Sequence, residues 1–338
     1  MRTAKLLLFP IILLLLAGAS AAQLHQVAII DIPGRPGFDS IVFANGMLVI
    51  AHRGANAVDV FDPARRRLSR QIPDMKDPRG IASDDAAGRV YVANADSNSI
   101  AVISSSKWEV DSTIPLQFSP DSLLLVGSKL YVADWKNRAV AIVDPAKGAV
   151  TTSMAVGGRP QHMVADAPSG TVFVTVEDAN EVVGIGAEGA VTKRFHLTAS
   201  QPTGIAIDDK FRRLFVAVRS AVLVVNADTG AEIARVPSEA GTDSLWFDPS
   251  NGALYAAASN GSVNMISTQR NFTSEHELKT DVRGHTLAFD SARKMVYMPG
   301  GREGKSKLVI LKRVETPGTT QNRQVDAAAD KPTETAVK

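Results

Sequence analysis

The residues able to move a proton, hold an ion or grip a charged ligand are few in this chain, and many fall at matching intervals. Asp39-Ser40, Arg79-Gly80, Asp121-Ser122, Gln161-His162, Thr203-Gly204, Asp243-Ser244 and His285-Thr286 follow one another every 40 or 42 residues. A histidine beside a carboxylate suits proton transfer near neutral pH. Several such groups converging on one point could hold a divalent cation. Local motifs for either chemistry are missing: there is no His-x-His, His-Glu-x-x-His or EF-hand spacing, and no Gly-x-Ser-x-Gly elbow. No resident metal or other cofactor is therefore expected, and a divalent metal enters only with an enzymatic reading. The chain also has no cysteine, which removes disulfides, thiolate metal sites and cysteine nucleophiles.

Two readings compete for these residues. An aspartate at the head of a strand can simply accept backbone N–H bonds in a turn. Asp39, Asp121 and Asp243 recur at equivalent positions, so the turn role is the expectation for them. His52, Arg53, Arg79, His162, Glu177, Arg219 and His285 do not repeat and are better candidates for function, with His162 and His285 as the candidate acid–base groups. Trp135, flanked by Asp134 and Lys136, offers a ring on which a ligand or partner could stack.

The elements that position them are repeated. Apolar–aromatic–apolar triplets are centred on residues 91, 131, 173, 215, 255 and 297, and an aliphatic seventh is centred on 49. A period of 40 or 42 residues over most of the chain marks a repeat architecture. Each unit holds four short runs rich in Val, Ile, Tyr and Phe, separated by Gly, Asn, Asp and Pro, and no window sustains a helical period. The predicted fold is all-β: a seven-bladed propeller of four-stranded antiparallel blades. The last unit lacks a fourth strand, and residues 26–33 form a strand with no unit of its own. Giving that strand to the last blade closes the ring and leaves no unpaired edge there. In such a ring the connections into the first strands and the loops between second and third strands open on one face. The ligand-binding candidates Asp39, His52, Arg79, Asp121, Trp135, His162, Glu177, Arg219, Asp243 and His285 are all expected there, around the mouth of the central channel.

Tyr91-Val92-Ala93-Asn94 followed by Asn98-Ser99-Ile100-Ala101-Val102-Ile103 resembles the YVTN repeat, and Tyr131-Val132-Ala133-Asp134 with Arg138–Asp144 repeats it. The chain resembles the secreted bacterial YVTN-type seven-bladed propellers from residue 26 to about 313. That resemblance implies the fold. It leaves function open between a binding or scaffold module and an enzyme of lactonase or lyase type, because fold does not dictate function.

The two ends are read differently. Arg2 and Lys5, the apolar run Leu6–Leu16 and the small residues Ala17–Ala22 resemble a cleaved signal peptide over residues 1–22. The run is too short to span a bilayer, so no transmembrane segment is expected in the mature chain, and the destination is the periplasm or the exterior. Without residues 1–22 the chain carries 35 basic and 35 acidic residues. This balance gives no footprint for nucleic acid, and a monomer is expected. A protein or cell-envelope partner, or a small molecule, is expected at the channel mouth. Residues 314–338 have no aromatic residue and no apolar period, and are expected to form a disordered tail beyond a propeller of residues 23–313. Removing 314–338 should leave the thermal midpoint nearly unchanged, whereas removing 23–33 should lower it steeply by opening the last blade. Equal losses in melts of the two truncations would refute the closure.

Overall fold

A computed structural model describes residues 21–269 and 271–316. Residues 1–20 and 317–338, which hold most of the expected signal peptide and tail, lie outside the described residues. The described strands form seven four-stranded antiparallel sheets. Blade 1 runs Ile41–Ala44, Met47–His52, Ala57–Asp62 and Arg67–Ile72, and the next five repeat the order. Blade 7 takes three strands from the C-terminal part, Ala288–Asp290, Met295–Arg302 and Lys305–Thr316, and its outer strand, Ala21–Ile32, from the other end of the chain.

Blades pack face to face, so their second and third strands lose water on both sides. Tyr91-Val92, Phe173-Val174, Phe215-Val216 and Tyr255-Ala256 are all buried, which is why these strands read as continuous apolar runs rather than alternating ones. Fourth strands face solvent and carry the charges, as in Arg67–Ile72. The triplet aromatics fill the gaps between blades. Tyr255 stacks on Phe289 with centroids 4.3 Å apart, and Tyr297 meets Phe43 and Phe61 of blade 1. Burying each such ring stabilises the fold by about 2 kcal/mol or more. Aspartates that close strands turn the chain locally: Asp62 after a third strand, and Asp84, Asp208 and Asp290 after first strands, each accept a backbone N–H two or three residues on.

Glycine is required where blades touch by backbone. Gly80 N donates to Asp121 O at 3.0 Å, and a Cβ there would lie 2.4 Å from that same oxygen. Between second and third strands, Asn56, Asn98 and Asn180 take left-handed conformations, which Asn tolerates better than most residues.

The closure strand is longer than expected. Ala21–Gln23 pairs with Thr316–Val314, so the first three residues of the expected tail belong to blade 7. His276, on the outer strand of blade 6, accepts the Leu24 N–H at 3.2 Å. His52 is the other departure. It is fully buried at the closure seam, stacked on Phe38 at 4.2 Å. Its Nδ1 lies 2.7 Å from Asp59 Oδ2 and its Nε2 lies 2.8 Å from Arg35 O and 3.2 Å from Ser306 Oγ. It ties blade 1, blade 7 and the connecting segment together. His52→Ala would leave Asp59 buried with Gln71 as its one remaining hydrogen-bond donor. It is expected to cost about 3–5 kcal/mol of stability, measured by denaturant unfolding.

Candidate functional site

Seven first strands converge on the axis, and in blades 1, 3 and 5 the residue leading in is anchored by the same backbone bond. Asp39 N donates to Ala51 O, Asp121 N to Ala133 O and Thr203 N to Ala217 O, each at about 3 Å. The repeat therefore fixes the main chain and turns the side chains toward the channel. None of the Asp39, Asp121 or Asp243 carboxylates bonds a turn N–H among the described residues. The expected turn role belongs to their backbones instead.

The result is a cavity of about 580 Å³ at the channel mouth. Asp39, Arg79, Asp121, His162, Asp243 and His285 line it from below, with Trp135 and Glu177 reaching in from loops between second and third strands. Two candidates do not arrive. His52 is sealed in the seam beneath residues 33–38. Arg219 lies in a separate shallow depression with Asn180, Ser200 and Arg235, where the abbreviated loop of blade 5 leaves it.

Charges around the mouth are chained from blade to blade. Arg79 Nε donates to Asp77 Oδ2 and Nη1 to Asp121 Oδ1, both at 2.9 Å. Arg53 Nε donates to the other oxygen of Asp77 at 2.6 Å. Burial opposes the charge on Asp77, but the two guanidiniums outweigh it and hold the carboxyl below its usual range. His285 Nδ1 lies 2.7 Å from Asp243 Oδ2 and Nε2 lies 3.1 Å from Phe38 O. Asp243 and Phe38 O both present acceptors, an arrangement that favours the doubly protonated ring. The Asp243 hydrogen bond accordingly raises the His285 pKa against the opposing effect of burial. Burial works against the Asp243 charge too, and the His285 bond overcomes it, keeping this carboxyl low.

Asp39 is the exception. Its nearest cation is Arg53 Nη1, 3.7 Å away, already committed through Nε to Asp77. The surface Asp39 keeps accessible faces the channel rather than bulk water. Burial first, and the neighbouring charge of Asp121 second, push its pKa up to about 6, against the pull of Arg53, His162 and His285. The His162 ring has no hydrogen-bond partner among the described residues.

Sequence reasoning missed two members of the site. Asp77 bridges two arginines from two residues before Arg79. Arg159 covers one face of Trp135, its guanidinium 4.9 Å from the ring centroid. The lead-in residue Gln161 donates from Nε2 to Glu177 Oε2 at 2.9 Å. Gly157–Pro160 reads as a plain turn, and the one available signal was its place immediately before a lead-in position. Among the described residues no group of three or more His, Asp or Glu side chains is placed to hold a metal ion.

The ring of seven blades with its loops gathered at one mouth defines the class, and comparison with known families agrees. The chain matches the YNCE-like beta-propeller family model over residues 22–268 and belongs to that family. No curated protein matches it.

The Asp39 geometry gives a signed pH dependence. Its folded pKa lies above the unfolded value of about 3.9, so the folded state holds the extra proton between about pH 4 and 6. Its contribution to stability falls as pH rises through that window. Asp39→Asn should therefore melt about 3–6 °C higher than the parent at pH 7.5 and nearly level with it at pH 4. A variant less stable at pH 7.5 would show that the carboxylate is compensated.

Proposed function

We propose that this protein is an exported binding module that takes a small polar ligand, or a polar side chain of a protein or cell-envelope partner, into the channel mouth. The observation that carries this reading is the commitment of His285. A general acid or base must present a nitrogen to its substrate, and both nitrogens of His285 are bonded to Asp243 and Phe38. The one His–carboxylate pair at the mouth is thus a closed fixture that shapes the cavity and sets its charge. Asp39 and His162 remain as polar groups available to a ligand, beside the partly exposed Trp135. The leader-like sequence of residues 1–22 supports export to the periplasm or beyond.

A second reading rests on His162. Its unpartnered ring at the same mouth leaves room for lactonase- or lyase-type chemistry, with the neighbouring arginines as electrophiles and a divalent metal as a further candidate.

A thermal-shift screen against sugars, lactones, peptidoglycan fragments and divalent metals separates the two. A ligand at 100 times its Kd stabilises by about 2.7 kcal/mol. A binding module should show such a shift, lost in Asp121→Asn and Trp135→Ala, without turnover of the ligand. Turnover abolished by His162→Asn would replace the binding reading with the enzymatic one.

A further inference from the structure

The face opposite the channel mouth carries an unpaired cationic corner where blades 7 and 1 meet. Asp62, Asp290 and Glu315 there neutralise Arg65, Arg293 and Arg313. Arg66, Arg67, Lys294 and Lys312 are exposed and have no carboxylate partner among the described residues. They form one neighbourhood. Arg313 N donates to Lys294 O at 2.9 Å, Lys312 shares that strand, and the charges of Arg66 and Arg293 both reach the Tyr297 hydroxyl.

Two of these cations stand where the backbone asks for glycine. Lys294 occupies the left-handed position of the turn between first and second strands, with φ 55°, and the equivalent residues of blades 2, 4 and 6 are Gly88, Gly170 and Gly252. Arg66 occupies the corresponding position between third and fourth strands, with φ 51°, where blades 3 and 5 use Gly148 and Gly230 and blades 2 and 6 carry Trp108 and Phe272. A side chain in this conformation is strained. Arg212 occupies the position equivalent to Lys294 in blade 5 and grips Asp166 with both Nη atoms, at 2.6 and 2.7 Å. Arg66 and Lys294 have no such carboxylate partner among the described residues, and their charges stay exposed.

The course of the chain shows what joins the ring beside them. Ile32 pairs with Ser306 on the mouth side and Ala21 with Thr316 on the opposite side. Residues 1–20, with the apolar run Leu6–Leu16, therefore join the ring at this same corner. We propose that the corner docks on an anionic lipid bilayer and that the ring meets the lipid with its channel mouth turned away. The choice of lipid over nucleic acid rests on the export reading, which sets this cationic face beside a membrane. The cations all lie in the ring itself, so the surface persists whether or not the leader is removed.

The test uses residues 21–338, because every described strand lies from Ala21 onward. Its binding to phosphatidylcholine vesicles is measured by sedimentation, with and without phosphatidylglycerol. Binding is expected with phosphatidylglycerol only, weakening as salt is raised. Arg66→Glu with Lys294→Glu should weaken it at least about tenfold, while Lys129→Glu with Lys147→Glu on blade 3 should leave it unchanged. Arg66→Gly with Lys294→Gly should also weaken binding, yet melt higher than the parent, because the strained turns relax. Equal binding to both vesicles, no binding to either, or tighter binding to a short DNA duplex would overturn the proposal. A fully bound glycine variant would overturn it as well.

Discussion

A ring of blades has no independent end, because each sheet covers the faces of its two neighbours and a gap would expose two apolar faces at once. The antiparallel pairing of Ala21–Ile32 with Lys305–Thr316 is the interaction on which everything else rests. It joins the two ends of the chain in one sheet, and it is reinforced where loss would be most costly. His276 reaches across from blade 6 to the Leu24 N–H, and His52 binds blade 1 to Ser306 and to the segment leaving the closure strand. Both histidines are structural, and both lie at the seam.

Closure also creates the channel mouth. The same backbone bond starts the first strand in blades 1, 3 and 5, and the repeat brings seven lead-in positions around one axis. Side chains at those positions are then free to differ. Blades 2 and 3 contribute the Arg79–Asp121 pair and blades 6 and 7 the Asp243–His285 pair, each linking adjacent blades 42 residues apart. Blade 1 places Asp39 between these pairs without a close cation of its own. A carboxylate held in that way lowers stability at neutral pH, and binding sites commonly bear this kind of cost. The rigid ring keeps the pairs from collapsing onto Asp39.

Strain is distributed by the same logic. Left-handed turn positions are filled by glycine in most blades and by asparagine between second and third strands. The exceptions include Trp108 and Phe272, Arg212 with its partners Asp166 and Asp228, and the exposed, unpaired Arg66 and Lys294. The last pair marks a place where local backbone preference and side-chain identity disagree, and such disagreements point to function more often than to folding.

Composition and spacing alone determined the fold class, the blade number, the order of strands within a blade and the use of the N-terminal strand to close the ring. These are legible because face-to-face packing imposes a near-continuous apolar run on each inner strand and a turn signal after it, and the chain must repeat both at a nearly constant interval. The face on which Asp39, Arg79, Asp121, His162, Glu177, Asp243 and His285 meet was legible for the same reason. Tertiary structure alone decided which candidates carry free polar atoms. Whether His52 is buried depends on how residues 33–38 cross it. Whether His285 has a nitrogen to offer depends on Phe38 O, 247 residues away in sequence. The partner of Trp135 is an arginine in what reads as an ordinary turn. Hydrogen bonds of this kind depend on distances of a few tenths of an ångström between residues remote in the chain, and periodicity carries no record of them.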